Sequence, residues 1–310
     1  DTAWLKGANV TISNGSAILN VVSGNPVLRQ NVGLTAGKWY EVTVDVTEVT
    51  SGSSVFGIYG TGGNDGIFSI SSAGIYKAMT RARSDATGLI GFSASSTSMK
   101  ISSASVKELA GNHAYQTTSA SCPILRKNAV TGANYLEFDG SDDFLQTDSI
   151  DFTATDKVSL FAGVRRLSDA GVSTIAEFSA NSVLNTNSFY LVALSNSALQ
   201  FNSRGSGNSA TTSSQRFPAP APVVISSVGD ISGKVSKIRA NSGGYAVNVG
   251  DQGTGNYGNY PLYIGRRGGA ALPFNGHIYG LIGIGKLVSD NEIVNIEKEL
   301  AKRVGVTLNV

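Results

Sequence analysis

Charged side chains make up only 15% of this 310-residue sequence, against roughly 25% in an average soluble protein, so the places where they gather stand out. One such place is Tyr135-Leu-Glu-Phe-Asp-Gly-Ser-Asp-Asp-Phe-Leu145. Two carboxylates facing one substrate are the equipment of glycoside hydrolysis, one acting as nucleophile or base and the other as acid. Glu137, Asp139 and Asp142 approach that arrangement, but it needs a continuous strand through its last carboxylate. Gly140-Ser141 breaks the strand into a turn, where Asp side chains bond nearby backbone amides. Clustered hard oxygens also suit calcium, so Asp139, Asp142 and Asp143 are the metal candidates, and calcium is the one cofactor the sequence admits.

The remaining chemistry-bearing residues are scattered. His113 and His277 have neither helical ligand spacing nor a linked carboxylate, which leaves a zinc site or a Ser-His-Asp triad unsupported. The single Cys122 excludes an internal disulfide and any multi-cysteine metal site. Gly60-Thr-Gly-Gly-Asn-Asp-Gly66 lacks the following Gly-Lys-Ser/Thr and helix of a phosphate cradle and reads as a turn. With 24 basic and 22 acidic residues the net charge is +2. No Lys/Arg stripe is present, so no nucleic-acid partner is expected.

Non-catalytic recognition of a sugar needs aromatic faces for stacking and polar groups that read hydroxyls. Trp39 points away from the apolar register of its strand. Tyr245, Tyr257 and Tyr260 lie in a Gly/Asn-rich stretch, Asn241 to Tyr260, whose composition suits rings presented outward on an adaptable loop. Arg266, beside Arg267, supplies a guanidinium able to pair an anionic group. These five, Trp39, Tyr245, Tyr257, Tyr260 and Arg266, are the ligand-binding candidates. No catalytic residue is assigned.

The elements that must hold them are strands. Hydrophobicity alternates with period two along almost the whole chain, interrupted by Gly, Ser, Asn and Asp clusters. In Trp39-Tyr-Glu-Val-Thr-Val-Asp-Val46, residues Tyr40, Val42, Val44 and Val46 face one side and Trp39, Glu41, Thr43 and Asp45 the other. Short runs at 55–59, 67–70, 74–79, 89–94 and 99–106 complete one sandwich over residues 1–109. A polar break at Ala110 to Ala114 opens a second series, residues 110–310. Within it, 208–222 is low in complexity and proline-rich, which predicts a surface loop or sheet edge. Only 289–304 reads as a helix: Ser289 and Glu292 form a capping box, Ile293, Ile296, Leu300 and Val304 share a side, and Gly305 ends it. The longest apolar stretch, Tyr279 to Ile284, is far short of the roughly 18 residues of a membrane helix, so no membrane insertion is expected. The chain starts at Asp1 without a charged, apolar and small-residue leader, the expectation for a fragment or processed product.

The first series, through Val10-Thr-Ile-Ser-Asn-Gly-Ser-Ala17, Leu34-Thr-Ala-Gly-Lys-Trp-Tyr-Glu-Val-Thr-Val-Asp-Val46 and Ile101-Ser-Ser-Ala-Ser-Val-Lys-Glu-Leu109, resembles the jelly-roll carbohydrate-binding modules of glycanases and phage tail proteins. The second resembles the concanavalin-A-like, laminin-G type sandwiches of bacteriophage structural proteins. That likeness rests on the 135–145 segment, Tyr263-Ile-Gly-Arg-Arg267, Phe274-Asn-Gly-His-Ile-Tyr279 and Leu287-Val-Ser-Asp-Asn-Glu-Ile293. These resemblances imply an all-β protein of two tandem β-sandwiches with one short C-terminal helix. They further imply a non-catalytic virion-surface or tail protein, located on the virion or extracellularly. Its partners would be host-surface carbohydrate, other virion proteins and copies of itself, a trimer among the options. A purely structural decoration subunit and a glycan hydrolase are the alternatives.

Overall fold

A computed structural model describes residues 4–20, 27–181, 183, 186–207 and 209–308, and the chain divides into two compact units, Asp1–Gly111 and Asn112–Val310. The all-β expectation holds for both. The first unit contains β1 (Trp4–Lys6), β2 (Val10–Ser13), β3 (Ser16–Asn20), β4 (Val27–Asn31), β5 (Trp39–Gly60), β6 (Gly63–Ile70), β7 (Gly74–Arg81) and β8 (Ala86–Leu109). Tyr40, Val42, Val44 and Val46 are buried while Trp39, Glu41, Thr43 and Asp45 are half-buried, the alternation that period two dictates. The sequence suggests separate short strands at 39–46 and 55–59, and again at 89–94 and 99–106. Instead β5 and β8 are continuous, 22 and 24 residues long. Their pairing shifts register repeatedly between Asp45 and Ser53, and such bulges bend a strand. One half of β5 pairs with β7 and the other with β6. Both halves contribute to a single core, with Val42 and Val44 joined by Phe56, Ile58, Phe92 and Met99.

The second unit contains β9 (Ala114–Tyr115), β10 (Ile124–Lys127), β11 (Asn134–Asp139), β12 (Leu145–Thr147), β13 (Ile150–Asp151), β14 (Lys157–Arg166), β15 (Ser173–Phe178) and β16 (Ser188–Ala193). It continues with β17 (Ala198–Arg204), β18 (Ser209–Arg216), β19 (Pro222–Asp230), β20 (Val235–Ala240), β21 (Ala246–Asn248), β22 (Asn259–Tyr260), β23 (Leu262–Ile264), β24 (Asn275–Ile284) and α1 (Asp290–Val304). One seven-stranded sheet runs β10-β11-β24-β14-β19-β20-β21, and a second runs β18-β17-β16-β15-β23-β12-β9. Between them lies a core that includes Leu160, Phe178, Phe189, Leu191, Phe201 and Ile225. The polar run of the 208–222 segment supplies an edge strand, β18, and its first prolines a loop, while Pro222 is the first residue of the central strand β19, a position that needs no ladder donor. Asn208 itself lies outside the described residues.

The first sheet is covered on both faces. Its outer side carries a further cluster, Phe161, Val224, Tyr279, Ile293, Leu300 and Val304, beneath α1. This double cover explains why Val158 to Val164 are all buried and do not alternate. Ser289 caps α1 by accepting from the Glu292 amide, and the Glu292 carboxylate accepts from the Ser289 amide at 3.0 Å. Gly305, at φ 85°, ends it. Close approach of the helix depends on two glycines opposite each other in β14 and β24. A Cβ on Gly163 would lie 2.7 Å from Val304 Cγ2, and one on Gly280 would lie 2.7 Å from Leu300 Cδ2. No helix among the described residues is long and apolar enough to cross a membrane.

The helix also buries a charge that its apolar stripe does not announce. Glu297, 1% exposed, accepts hydrogen bonds from Arg239 Nε at 2.7 Å and Nη2 at 2.9 Å, from Ser226 Oγ at 2.5 Å and from Ser242 Oγ at 2.7 Å. A bidentate, fully satisfied pair of this kind is costly to break from one side, because the partner charge stays behind. Replacing Glu297 with Ala is expected to destabilise the second unit by about 3 kcal/mol, and urea denaturation monitored by tyrosine fluorescence measures it. Glu297→Gln, which keeps an acceptor, should lose less.

Candidate functional site: a pocket beside Tyr245

The pocket forms where β20 turns back into β21. Asn241 and Ser242 take positive φ values of 49° and 57°, and the Asn241 side chain accepts from the Val224 amide at 2.8 Å. Gly243-Gly244 then returns the chain so that Ala246 pairs with Ile238. Ile238 enters the core, so its neighbours Lys237 and Arg239 project from the other side of β20. Tyr245 lies over them, its ring centroid 4.5 Å from Lys237 Nζ and 4.6 Å from Arg239 Cζ. Both cations are placed to interact with the ring's electron-rich face.

Phe217, Arg239, Gly243, Gly244, Tyr245 and Ala246 line a cavity of about 380 Å³ here, within the range of small-ligand sites. The Tyr245 hydroxyl is buried and has no hydrogen-bond partner among the described residues, while burial pushes its pKa up. It is therefore neutral and able both to donate and to accept. An aromatic ring, a hydroxyl, a guanidinium and glycine backbone together equip the pocket to stack and hydrogen-bond a polyhydroxyl molecule.

The other candidates do not converge on it. Tyr257 was expected on an outward-facing loop; this is corrected, since it is 1% exposed. Its hydroxyl lies 2.6 Å from Ser203 Oγ, and its ring meets Phe189 edge-on at 5.4 Å. Burial raises its pKa well above the ordinary tyrosine value. Tyr260 is half-buried in β22 and packs on Phe178 at 5.6 Å. The Gly-rich stretch misled because its glycines fold the chain tightly around these rings; a Cβ on Gly258 would lie 2.2 Å from Tyr260 Cε2. Trp39 is half-buried on the outer face of β5, opposite Arg81 and Leu109. Arg266 is half-buried, and its Nε has no hydrogen-bond partner. Its neighbour Arg267 is the one that meets a carboxylate, Glu177, at 3.5 Å. Sequence reasoning missed both Glu177 and Glu297. For Glu177 the available signal was a lone charge in the strand Ser173-Thr-Ile-Ala-Glu-Phe178.

The acidic cluster is brought together. Ligand oxygens of Asp139, Asp142 and Asp143 lie within 4.8 Å of one another. Each carboxylate also holds the turn. Asp139 accepts from the Ser141 amide at 2.8 Å, Asp143 from the Asp139 amide at 2.9 Å, and Asp142 from Ser121 Oγ at 2.6 Å. Burial, reinforced by Asp139 and Asp142, raises the Asp143 pKa. Glu137 instead faces Arg126 at 3.4 Å and His277 at 3.8 Å. His277 stacks on Tyr135 at 4.3 Å, and burial lowers its pKa.

No family model matches the chain, and no curated protein matches it. Among solved structures it is similar to the heptameric SAP-like pentraxin of Limulus polyphemus, at 10% identity and TM-score 0.42, over 52% of this chain and 80% of that one. It is similar to the CBM40 of the Ruminococcus gnavus IT-sialidase at 15% identity and TM-score 0.39, over 49% and 97%. It is also similar to the botulinum neurotoxin serotype G binding domain at 10% identity and TM-score 0.48. That likeness covers 63% of this chain and about half, 49%, of the neurotoxin domain.

The placement of Tyr257 gives a stability signature. Tyr257→Ala removes a buried ring and is expected to cost about 3–5 kcal/mol, whereas Tyr257→Phe loses one buried hydroxyl contact and costs about 1 kcal/mol. Thermal melts of the two variants check the order; a loop tyrosine would leave both unchanged.

Proposed function

We propose that this chain is a non-catalytic attachment protein that binds surface glycan, with Tyr245 at the centre of the binding pocket. The observation that carries the reading is Tyr245 lining a cavity of about 380 Å³, its ring backed by Lys237 and Arg239. A ring immobilised by two cations stacks on a sugar at little further entropic cost. The sequence resemblance to phage sandwich domains supports a more specific version: a virion-surface or tail protein, extracellular in its working location, oligomeric, and in contact with neighbouring virion proteins. The hydrolase reading is the weaker one, because the carboxylates at 139, 142 and 143 are engaged by the turn and Glu137 by Arg126 and His277.

Calcium belongs to the proposal as a stabiliser of the 139–143 turn. Three carboxylate oxygens remain beside those that hold the backbone and Ser121, fewer than the six to eight that calcium takes. Such a site completes its shell with water and binds weakly.

In a glycan array the intact protein should retain specific sugars without releasing reducing ends. Surface plasmon resonance on the retained sugar should then show Tyr245→Ala about fivefold weaker, the equivalent of about 1 kcal/mol of lost stacking, with a cooperative thermal melt showing that the variant is folded. Equal binding by the variant would remove the pocket from the proposal. Millimolar calcium should raise the melting temperature relative to EDTA, and Asp139→Asn should abolish the rise; identical melts with and without calcium would refute the metal.

A further inference from the structure

The outer face of the β18 to β9 sheet carries a row of side chains that the Tyr245 pocket does not use. Strand alternation sends Phe178, Phe189 and Leu191 into the core, so Glu177 and Tyr190 project from the opposite face. In register across the strands, Tyr190 of β16 sits beside Glu177 of β15, which sits beside Tyr263 of β23. The segment after β23 folds over this row. Gly265, Gly268 and Gly269 take positive φ values of 83°, 51° and 67°, and the Arg267 amide donates to Ala271 O at 2.7 Å. The turn holds Arg267 above the carboxylate, Nε to Oε1 3.5 Å, with its Cζ 5.5 Å from the Tyr190 centroid.

This pair is poorly satisfied for its depth. Glu177 is 0% exposed, yet among the described residues neither of its oxygens completes a hydrogen bond of good geometry, and Arg267 Nε has no hydrogen-bond partner. The Arg267 charge, Ser179 and the Gly268 amide each stabilise the anion, but burial outweighs them and raises its pKa. A buried ion pair that lacks hydrogen bonds costs stability compared with apolar residues of the same volume. Glu297, in the same unit, shows how completely this fold satisfies a carboxylate whose task is structural. Unspent donors and acceptors beside a partly exposed ring are what a bound sugar consumes.

We infer that Glu177, Arg267 and Tyr190 form a second carbohydrate subsite, which takes an uncharged sugar through two neighbouring hydroxyls, one donating to Glu177 and one accepting from Arg267, with the ring against Tyr190. The inference rests on the glycan-binding reading for its ligand class and shares no residue with the Tyr245 pocket. Ligand charge follows from the charges present: Glu177 cancels Arg267, so an anionic sugar would face a buried carboxylate at the floor of the site. Arg267, 27% exposed, is the group that must shift to admit the hydroxyls, and its long ion pair leaves it free to do so.

The Arg267 Nε–H resonance, assigned by its loss in Arg267→Lys, reports on the site directly. In the full chain it should move saturably on titration with lactose, maltose or mannobiose and stay still with glucuronic acid. Glu177→Gln, which keeps an acceptor but loses the charge, should weaken the movement about fivefold or more, whereas a purely structural ion pair would leave any movement intact. Should Glu177→Gln fail to fold, Tyr190→Leu keeps the ion pair and should weaken the sugar response about fivefold or more. No movement at about 10 mM of any neutral sugar, where a site of about 1 mM affinity is mostly filled, would overturn the inference, as would movement with glucuronic acid alone. Tyr245→Ala should leave the resonance response intact, so loss of the first pocket and loss of this subsite are read separately.

Discussion

The second unit depends on how α1 seats on the outer face of the β10 to β21 sheet. A sheet face left bare would expose Phe161, Val224 and Tyr279, and the helix covers them with Ile293, Leu300 and Val304. Burial of this kind contributes in proportion to the apolar area withdrawn from water. Contact requires the helix to come close, and the facing glycines Gly163 and Gly280 make that distance available. Strand glycines weaken a sheet by themselves; here the packing they permit offsets the loss.

The same docking reaches the candidate pocket. Glu297 leaves the helix to hold Arg239 through two hydrogen bonds and Ser242 through a third. Arg239 lies beneath the Tyr245 ring, and Ser242 is in the turn that carries it. The Tyr245 wall is therefore held by a carboxylate that is not itself part of the cavity lining. Rigidity of this sort keeps a stacking surface in place before binding and lowers the entropy lost on association.

Two buried glutamates illustrate different uses of one side chain. Glu297 is surrounded by four donors and acts as a tie between helix and sheet. Glu177 is more deeply buried and less well bonded, and it lies on the face away from the core. Stability alone favours replacing such a group with an apolar one. The first unit solves its packing differently, with bulges in β5 and β8 that bend one sheet around a single core.

Much of the architecture was legible in the sequence because it is local. Alternation at 39–46, the capping box at Ser289 and Glu292, the stop at Gly305 and the proline-marked edge at 208–222 each need only neighbouring residues to be recognised, and each appears where it was read. The three aspartates of the 139–143 turn are likewise close because they are close in sequence. What the sequence could not settle was the surroundings of each aromatic and each charge. Tyr245 and Tyr257 stand in the same Gly-rich stretch, yet one walls a pocket and the other fills the core against Phe189 and Ser203. Glu177 meets Arg267 across ninety positions of chain, and Glu297 finds Arg239 from a different element. Composition sets the backbone freedom of a segment, whereas burial and pairing arise only when distant strands and the helix close over it, and those contacts decided which side chains are free to bind.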